Sequence, residues 1–217
     1  MNPMDRYERE LQKKKEYRIA SILDAAEILF AQKGIERTTM QDIATTANLG
    51  VATIFRTFPK KEQIAVAIAT KRLNKFLKLF KNINQMQATG LEKIEALIDY
   101  FLKELLSDDG NDIKIIEDFE IYSMRLTQPI ADIEMYKEVY QEISKTYASI
   151  LNQATKDNSI RKDIDIEKSL ITLINTFATF ARKLSIQKDI FFIELDLEPE
   201  GQLKLLKKII LDYLKNI

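Results

Sequence analysis

The sequence contains no cysteine and no histidine. Their absence excludes a disulfide, a thiol nucleophile, a Cys/His zinc site and a Ser-His or Cys-His catalytic pair. An enzyme would have to rely on Asp, Glu, Lys, Tyr or Ser chemistry, and the sequence carries no motif for it. We therefore expect no enzymatic activity, no cofactor and no bound metal. Turnover of a substrate by the purified chain would restore an all-α enzyme as an alternative.

Long apolar runs and an excess of charge of one sign are also missing. The 33 Lys and Arg offset the 33 Asp and Glu, so the chain as a whole is not a polyanion binder. The longest apolar stretch, near 170–181, has about twelve residues, whereas a membrane-spanning helix needs ~20. The charged N-terminal residues lack the apolar segment of a signal peptide. We expect a soluble, cytoplasmic protein that has no membrane partner.

Glycine and proline are scarce, with 5 Gly and 4 Pro, and most of them separate segments in which apolar residues recur every three or four positions. That period is typical of amphipathic helices, and no sustained β-type alternation occurs. The pattern predicts an all-α protein of about nine helices. The expected helices lie near 16–33, 40–47, 51–57, 60–83, 91–107, 112–126, 129–156, 165–186 and 200–216.

Two short helices follow each other near the N-terminus, and helices of that length are marginal by themselves. Thr39 is a good N-cap for the first helix. Leu49 and Gly50 can form the turn, and Ile54 then faces inward on the second helix. A supporting helix, a tight turn and a helix with a free face make up a helix-turn-helix that enters the major groove of DNA. From spacing alone, a helical hairpin that only caps the body is the alternative.

Three spaced motifs over residues 18–67 extend this pattern: AAEILFAQKG, TTMQDIATTA and VATIFRTFPKKEQI. They resemble the DNA-binding domain of the TetR family of transcriptional regulators. The resemblance implies an all-α homodimer, usually a repressor, which releases a palindromic DNA operator when a small molecule binds its C-terminal domain. A three-helix head over 1–60 would bind DNA, and a larger helical body over 61–217 would bind the ligand and dimerise. The alternative is the same fold without small-molecule induction, as a constitutive DNA binder or a protein-partner adaptor.

The resemblance also implies which residues contact DNA. The residues at positions that contact the DNA backbone are Thr39, Thr53, Phe55, Lys60 and Lys61. The residues at variable positions that face base edges are Gln41, Val51, Ala52 and Arg56. Arg56 suits guanine and Gln41 suits adenine, although either side chain could instead be only solvated. Phe55 lacks the hydroxyl of the more usual tyrosine. The charged arm before the first helix is expected to be a solvated, partly helical extension, with DNA contact as the alternative.

The body is expected to hold an effector that is largely apolar or aromatic. Aromatic residues that could line its cavity are Phe80, Tyr100, Phe101, Phe119, Tyr122, Tyr136, Tyr140 and Phe177. Each of them suits an ordinary core as well, so core packing is the alternative for every one. Apolar stripes on the last two long helices, over 170–184 and 203–214, are expected to form the dimer.

Overall fold

A computed structural model describes residues 2–106, 112–169 and 199–216, together with residues 171, 172, 175, 176, 179, 180, 183 and 184. The eight helices whose bounds it gives are α1 Pro3–Arg37, α2 Met40–Thr46, α3 Val51–Thr57, α4 Lys61–Asn84, α5 Gly90–Leu106, α6 Asp112–Met124, α7 Ile133–Lys156 and α8 Pro199–Leu214. The described residues from 166 to 184 are helical as well. The all-α prediction is confirmed. No helix within the described ranges is long and apolar enough to cross a membrane.

Helix α1 is much longer than predicted, because it begins at Pro3 and not near residue 16. The side chain of Asn2 accepts a hydrogen bond from the backbone N–H of Met4 at 3.2 Å, and Pro3 occupies the first helical position. These are strong helix-start signals. The first regular stretch ends where the sequence predicted, because Gly34 has a φ of 81°, which is outside the helical region.

Helix α7 is shorter than predicted and begins at Ile133. Pro129 was expected in its first turn but lies in the irregular segment before it. Asp132 has a φ of 64°, a left-handed conformation that cannot be part of a right-handed helix. The chain therefore completes a turn at Asp132 before the helix begins.

The described residues fall into two compact units. Unit 1 comprises residues 1–75 and 112–140, and unit 2 comprises residues 76–111 and 141–217. In unit 1, α1 packs against α2 and α6, and α2 packs against α3. In unit 2, α5 packs against α8. The predicted division at residue 60 separates a DNA-binding part of the chain from an effector-binding part. It is a division by activity, and it stays a prediction.

The core of unit 1 gathers apolar residues from every one of its helices. Its buried members include Ile22, Ala26, Ile43, Ile54, Ile64, Ile68 and Phe119. The core of unit 2 contains Ile94, Leu97, Ile150, Ala154, Leu203, Ile210 and Leu214. In both units the buried positions follow the helical period that the sequence showed.

The start of α5 depends on a close approach at Gly90. The backbone N–H of Gly90 donates to Asp157 at 2.7 Å, and the N–H of Leu91 donates to the Ser159 hydroxyl at 3.0 Å. A Cβ atom on Gly90 would lie 2.2 Å from the Cα of Ala154. Only glycine permits this contact between α5 and α7.

Replacing Gly90 by alanine should therefore destabilise the protein. Overpacking of this kind costs about 1–3 kcal/mol, and here the obstacle is backbone that cannot swing away. Gly201→Ala is the matched control, because nothing lies within 4 Å of a Cβ there and the residue is helical. That variant should gain about 0.5–1 kcal/mol from helix propensity. Urea unfolding of both variants measures the difference, and equal stability of the two would contradict the packing argument.

Candidate nucleic-acid interface

Helix α2 begins with a capping box between Thr39 and Asp42. The Thr39 hydroxyl accepts from the backbone N–H of Asp42 at 3.1 Å, and the Asp42 carboxylate accepts from the backbone N–H of Thr39 at 2.8 Å. Lys33 of α1 donates to the same carboxylate at 2.6 Å. The hydrogen bonds from Lys33 and Thr39 hold the pKa of Asp42 well below its usual range. Helix α2 is therefore fastened to α1 at its first turn, with Thr39 as the predicted N-cap.

The turn between α2 and α3 is closed by backbone contacts. Asn48 has a φ of 53°, a conformation that asparagine tolerates better than most residues. The N–H of Leu49 donates to the carbonyl of Ala44 at 2.9 Å, and Gly50 is the N-cap of α3. Ile54 is fully buried. The seven residues of α3 are thus held by one inward side chain and a tight turn.

The opposite side of α3 is open to solvent. Val51 is 36% exposed and Phe55 is 49% exposed, and Ala52 and Arg56 are exposed beside them. These residues recur at i, i+1, i+4 and i+5, which places them on one face of the helix. Gln41 on α2 is exposed too, whereas Thr53 is half-buried. The structure therefore brings four of the predicted DNA-contacting residues together on one surface.

Lys61, the first residue of α4, is half-buried and is thus less exposed than the residues on the open face of α3. Its ammonium donates to the backbone carbonyls of Glu36 at 3.0 Å and Thr38 at 2.8 Å. It also lies 5.7 Å from the ring centroid of Tyr122, within cation–π range. Burial lowers the pKa of Lys61, while the charges of Glu62 and Glu36 oppose that shift. An ammonium has three N–H donors, so one remains for a phosphate oxygen.

Tyr122 was expected in an effector cavity, and the structure shows it beside Lys61. Its hydroxyl donates to the carboxylate of Glu62 at 2.7 Å. Arg125 pairs with Glu36 at 3.2 Å. Sequence reasoning did not connect these residues, because Tyr122 and Glu62 are sixty positions apart in the chain. No local spacing signals such a contact.

Three more of the aromatic candidates lie in unit 1. Phe119 and Tyr136 are buried, with ring centroids 5.1 Å apart, and Tyr140 lies 6.4 Å from Tyr136. The Tyr136 hydroxyl donates to Glu120 at 2.7 Å. Burial and this carboxylate both raise the pKa of Tyr136. The Tyr136 hydroxyl therefore already has a hydrogen-bond acceptor within the chain, Glu120.

The remaining described candidates form an aromatic cluster in unit 2. Phe76 stacks on Phe101 at 5.8 Å and meets Tyr100 edge-on at 5.8 Å. Phe80 contacts Phe101 at 6.4 Å and Tyr147 at 6.3 Å. The Tyr147 hydroxyl is buried and has no hydrogen-bond partner within the described part of the chain. Phe177, the eighth candidate, lies outside the described residues.

Helix α8 carries a second apolar face besides the one in the core. Leu205 is 59% exposed, Ile209 is 55% exposed and Tyr213 is 43% exposed, at spacings of four residues. These exposed side chains lie on a different side of α8 from buried Leu203 and Leu214. Such a stripe is a common mark of a contact with another protein surface.

The chain is similar to several bacterial regulatory proteins. The model of bacterial regulatory proteins, tetR family, matches residues 22–68. The transcriptional repressor KstR2 of Rhodococcus jostii is 28% identical over 162 residues, which is 73% of this chain and 76% of that protein. The fatty acid metabolism regulator protein of Bacillus subtilis is 24% identical over 158 residues, which is 71% of this chain and 76% of the relative.

Solved structures agree with the fold. SmeT, the repressor of a Stenotrophomonas maltophilia multidrug efflux pump, aligns with a TM-score of 0.67 at 18% identity, over 91% of this chain and 90% of that one. FadR of Bacillus subtilis in complex with stearoyl-CoA aligns with a TM-score of 0.62 at 16% identity, over 90% of this chain and 98% of that one. At these identities the likeness concerns the fold alone.

The capping carboxylate makes a pH-dependent contribution that can be measured. Because the pKa of Asp42 is depressed in the folded state, its charge stabilises the fold above the ordinary pKa of 3.8 and loses that effect as the pH falls below it. Asp42→Asn should therefore unfold at lower urea than wild type at pH 7, and the gap should narrow between pH 4 and pH 3. Asp118→Asn, which removes an exposed carboxylate of α6, is the control. A gap of constant size down to pH 3 would contradict the assignment.

Proposed function

The chain belongs to the TetR family of bacterial regulatory proteins, and from this premise we propose that it is a transcriptional repressor. It binds a palindromic operator as a homodimer and releases it when a small-molecule effector binds. The observation that carries this proposal is the exposed face of α3, a seven-residue helix whose other side is anchored by Ile54. A helix held in this way can enter a major groove, which admits a single α-helix.

The residues on that face suggest how the DNA is read. Arg56 can donate two hydrogen bonds to guanine, and Val51 and Ala52 can contact a thymine methyl group. Phe55 adds apolar contact area but no hydrogen bond. With one strong hydrogen-bond donor on α3, sequence-dependent DNA shape contributes to specificity as well.

Residues around this face hold the DNA backbone. The helix-start residue Thr39 lies near the positive end of the α2 dipole, which favours an anion such as a phosphate. Its hydroxyl and backbone N–H both donate to Asp42 in the free protein, so a phosphate there would share these donors with the carboxylate. Thr53 adds a second hydroxyl, and Lys60 and Lys61 supply positive charge at the start of α4. Contacts of this kind fix the register of the protein on DNA without reading its sequence.

A dimer would overcome the small number of bases that one recognition helix can contact. One short helix touches too few bases for useful specificity, whereas two copies read two half-sites. The stripe of Leu205, Ile209 and Tyr213 on α8 supports self-association, because it leaves large apolar side chains in water in a single chain. The exposed side chain of Ile171, on the preceding helical segment, adds to the apolar area available.

The effector site is proposed at the aromatic cluster of unit 2. Phe80, Tyr100 and Phe101 offer apolar ring surface, and the buried Tyr147 hydroxyl has no hydrogen-bond partner among the residues that the structure describes. An unsatisfied buried hydroxyl costs about 1–3 kcal/mol, which a ligand oxygen or nitrogen would recover. The effector is thus an apolar or aromatic molecule with a polar atom at one end. It acts by binding the DNA-releasing conformation more tightly than the DNA-binding one.

Arg56→Ala should weaken binding to an operator recovered from a random DNA pool by ~1–3 kcal/mol and relax the preference at one base position. Lys78→Ala removes an exposed positive charge of α4 away from the interface and should leave affinity within about twofold. Fluorescence anisotropy on the operator and on scrambled DNA measures both effects. An equal loss on both DNAs would contradict a base-reading role for Arg56.

Tyr147→Phe should reduce retention of the effector several-fold, because it keeps the ring and removes the hydroxyl. The measurement is mass spectrometry of small molecules released when the protein, purified from cells, is denatured. Tyr7→Phe, at a tyrosine that is 64% exposed on α1, is the control. Equal retention by both variants would contradict the assigned contact, and DNA binding that no cell-derived small molecule alters would favour a constitutive binder.

A further inference from the structure

Two carboxylates act electrostatically on the ammonium of Lys61, and both have partners at the end of α6. Glu62 and Glu36 each raise the pKa of Lys61. The Glu62 carboxylate accepts from the Tyr122 hydroxyl at 2.7 Å, and the Glu36 carboxylate pairs with Arg125 at 3.2 Å. The last turn of α6 and the residue that follows it therefore engage both acids that could neutralise Lys61.

The two contacts differ in strength. The Arg125–Glu36 pair is exposed, with 66% and 71% of its side chains open to water, so solvent screens it. Tyr122 and Glu62 are half-buried. Burial raises the pKa of Glu62, but hydrogen bonds, first of all the one from Tyr122, outweigh it and leave the carboxyl ionised. Burial and Glu62 both raise the pKa of the Tyr122 phenol, so it stays a neutral donor. The Tyr122–Glu62 hydrogen bond is the dominant contact.

The same tyrosine also supports Lys61 directly. Its ring face lies 5.7 Å from the ammonium, which also donates to the carbonyls of Glu36 and Thr38. If the hydroxyl were absent, the ring would remain but the Glu62 carboxylate would lose its donor. Of the cations that act on that carboxylate, Lys61 has the largest effect, and an ion pair between the two would compete with a DNA phosphate for the ammonium.

We propose that Tyr122 is a positioning residue for DNA binding: by holding the Glu62 carboxylate, it keeps the Lys61 ammonium available for a backbone phosphate. This inference rests on the proposed function, since it assigns Lys61 to the DNA backbone. On this proposal, the hydrogen bond between Tyr122 of α6 and Glu62 of α4 affects DNA affinity through Lys61, without a contact between Tyr122 and DNA.

The test compares two tyrosines with the same chemistry. Tyr122→Phe and Tyr136→Phe each delete a phenol that donates to a glutamate at 2.7 Å, in the same unit of the protein. Operator affinity without effector is measured by anisotropy between 50 and 200 mM salt. Tyr122→Phe should lose about three- to tenfold in affinity and lower the slope of log K against log[salt] by roughly 0.9, the value for one phosphate contact. Tyr136→Phe should keep the wild-type slope and affinity. Circular dichroism checks that both variants are folded.

A rescue variant separates this role from simple structural damage. Glu62→Gln removes the competing charge, so the double variant Tyr122→Phe/Glu62→Gln should recover the wild-type salt slope. Loss of a merely structural hydrogen bond would instead make the double variant no better than Tyr122→Phe. Lys61→Ala should add little to the loss in Tyr122→Phe, since both changes remove the same phosphate contact.

Equal salt slopes for wild type, Tyr122→Phe and Tyr136→Phe would overturn the inference and leave the proposed function intact. A loss in Tyr122→Phe that Glu62→Gln does not restore would overturn it as well. Wild-type protein that shows no preference for any DNA sequence would overturn the proposed function itself, and the inference with it.

Discussion

The proposed DNA-binding surface depends on the carboxylate of Asp42. Helices α2 and α3 have seven residues each, too few to be stable without support. Asp42 accepts from both the backbone and the hydroxyl of Thr39 and from Lys33 of α1, so one side chain starts α2 and joins it to the longest helix. Helix α3 packs against α2, and the inward side chains Ile43 of α2 and Ile54 of α3 are both buried. The exposed face of α3 exists because its other side is fixed in this way.

Polar contacts extend this support to α4 and α6 within unit 1. Arg72 of α4 bonds Asp112, the first residue of α6, at 2.6 Å and also pairs with Glu27 of α1. Asp112 is buried and also pairs with Lys75 of α4 at 3.0 Å, so losing Arg72 would leave this buried carboxylate with one cationic partner in place of two. At the other end of α6, Tyr122 meets Glu62. Helix α6 is thus held at both ends by α4, whose first residue is Lys61, and a change in α6 would reach Lys61 through these bonds.

Local signals predicted α2 and α3 closely, since a capping threonine and a turn glycine act within a few residues. The outward positions of Val51, Phe55 and Arg56 followed from the same short-range period. The start of α1 was predicted too late, near residue 16, because the helix-start signal at Asn2 and Pro3 was not used. Neither the left-handed Asp132 nor the Tyr122–Glu62 contact could be predicted: the first depends on the local path of the backbone and the second on packing between distant segments. The aromatic residues could be picked out from the sequence as candidates for an effector cavity. Their distribution over two separate units could not be predicted, because it depends on tertiary packing.

Selection of bound fragments from a random DNA pool, at a stated salt concentration, tests the central claim most directly. The mass of the resulting complex should be determined alongside the sequence. The account predicts a two-fold symmetric site whose half-site centres lie about 34–36 Å apart, one turn of the double helix, with a symmetric pair of chains bound. Recovery of fragments without sequence preference, or of an asymmetric site bound by a single chain, would contradict it.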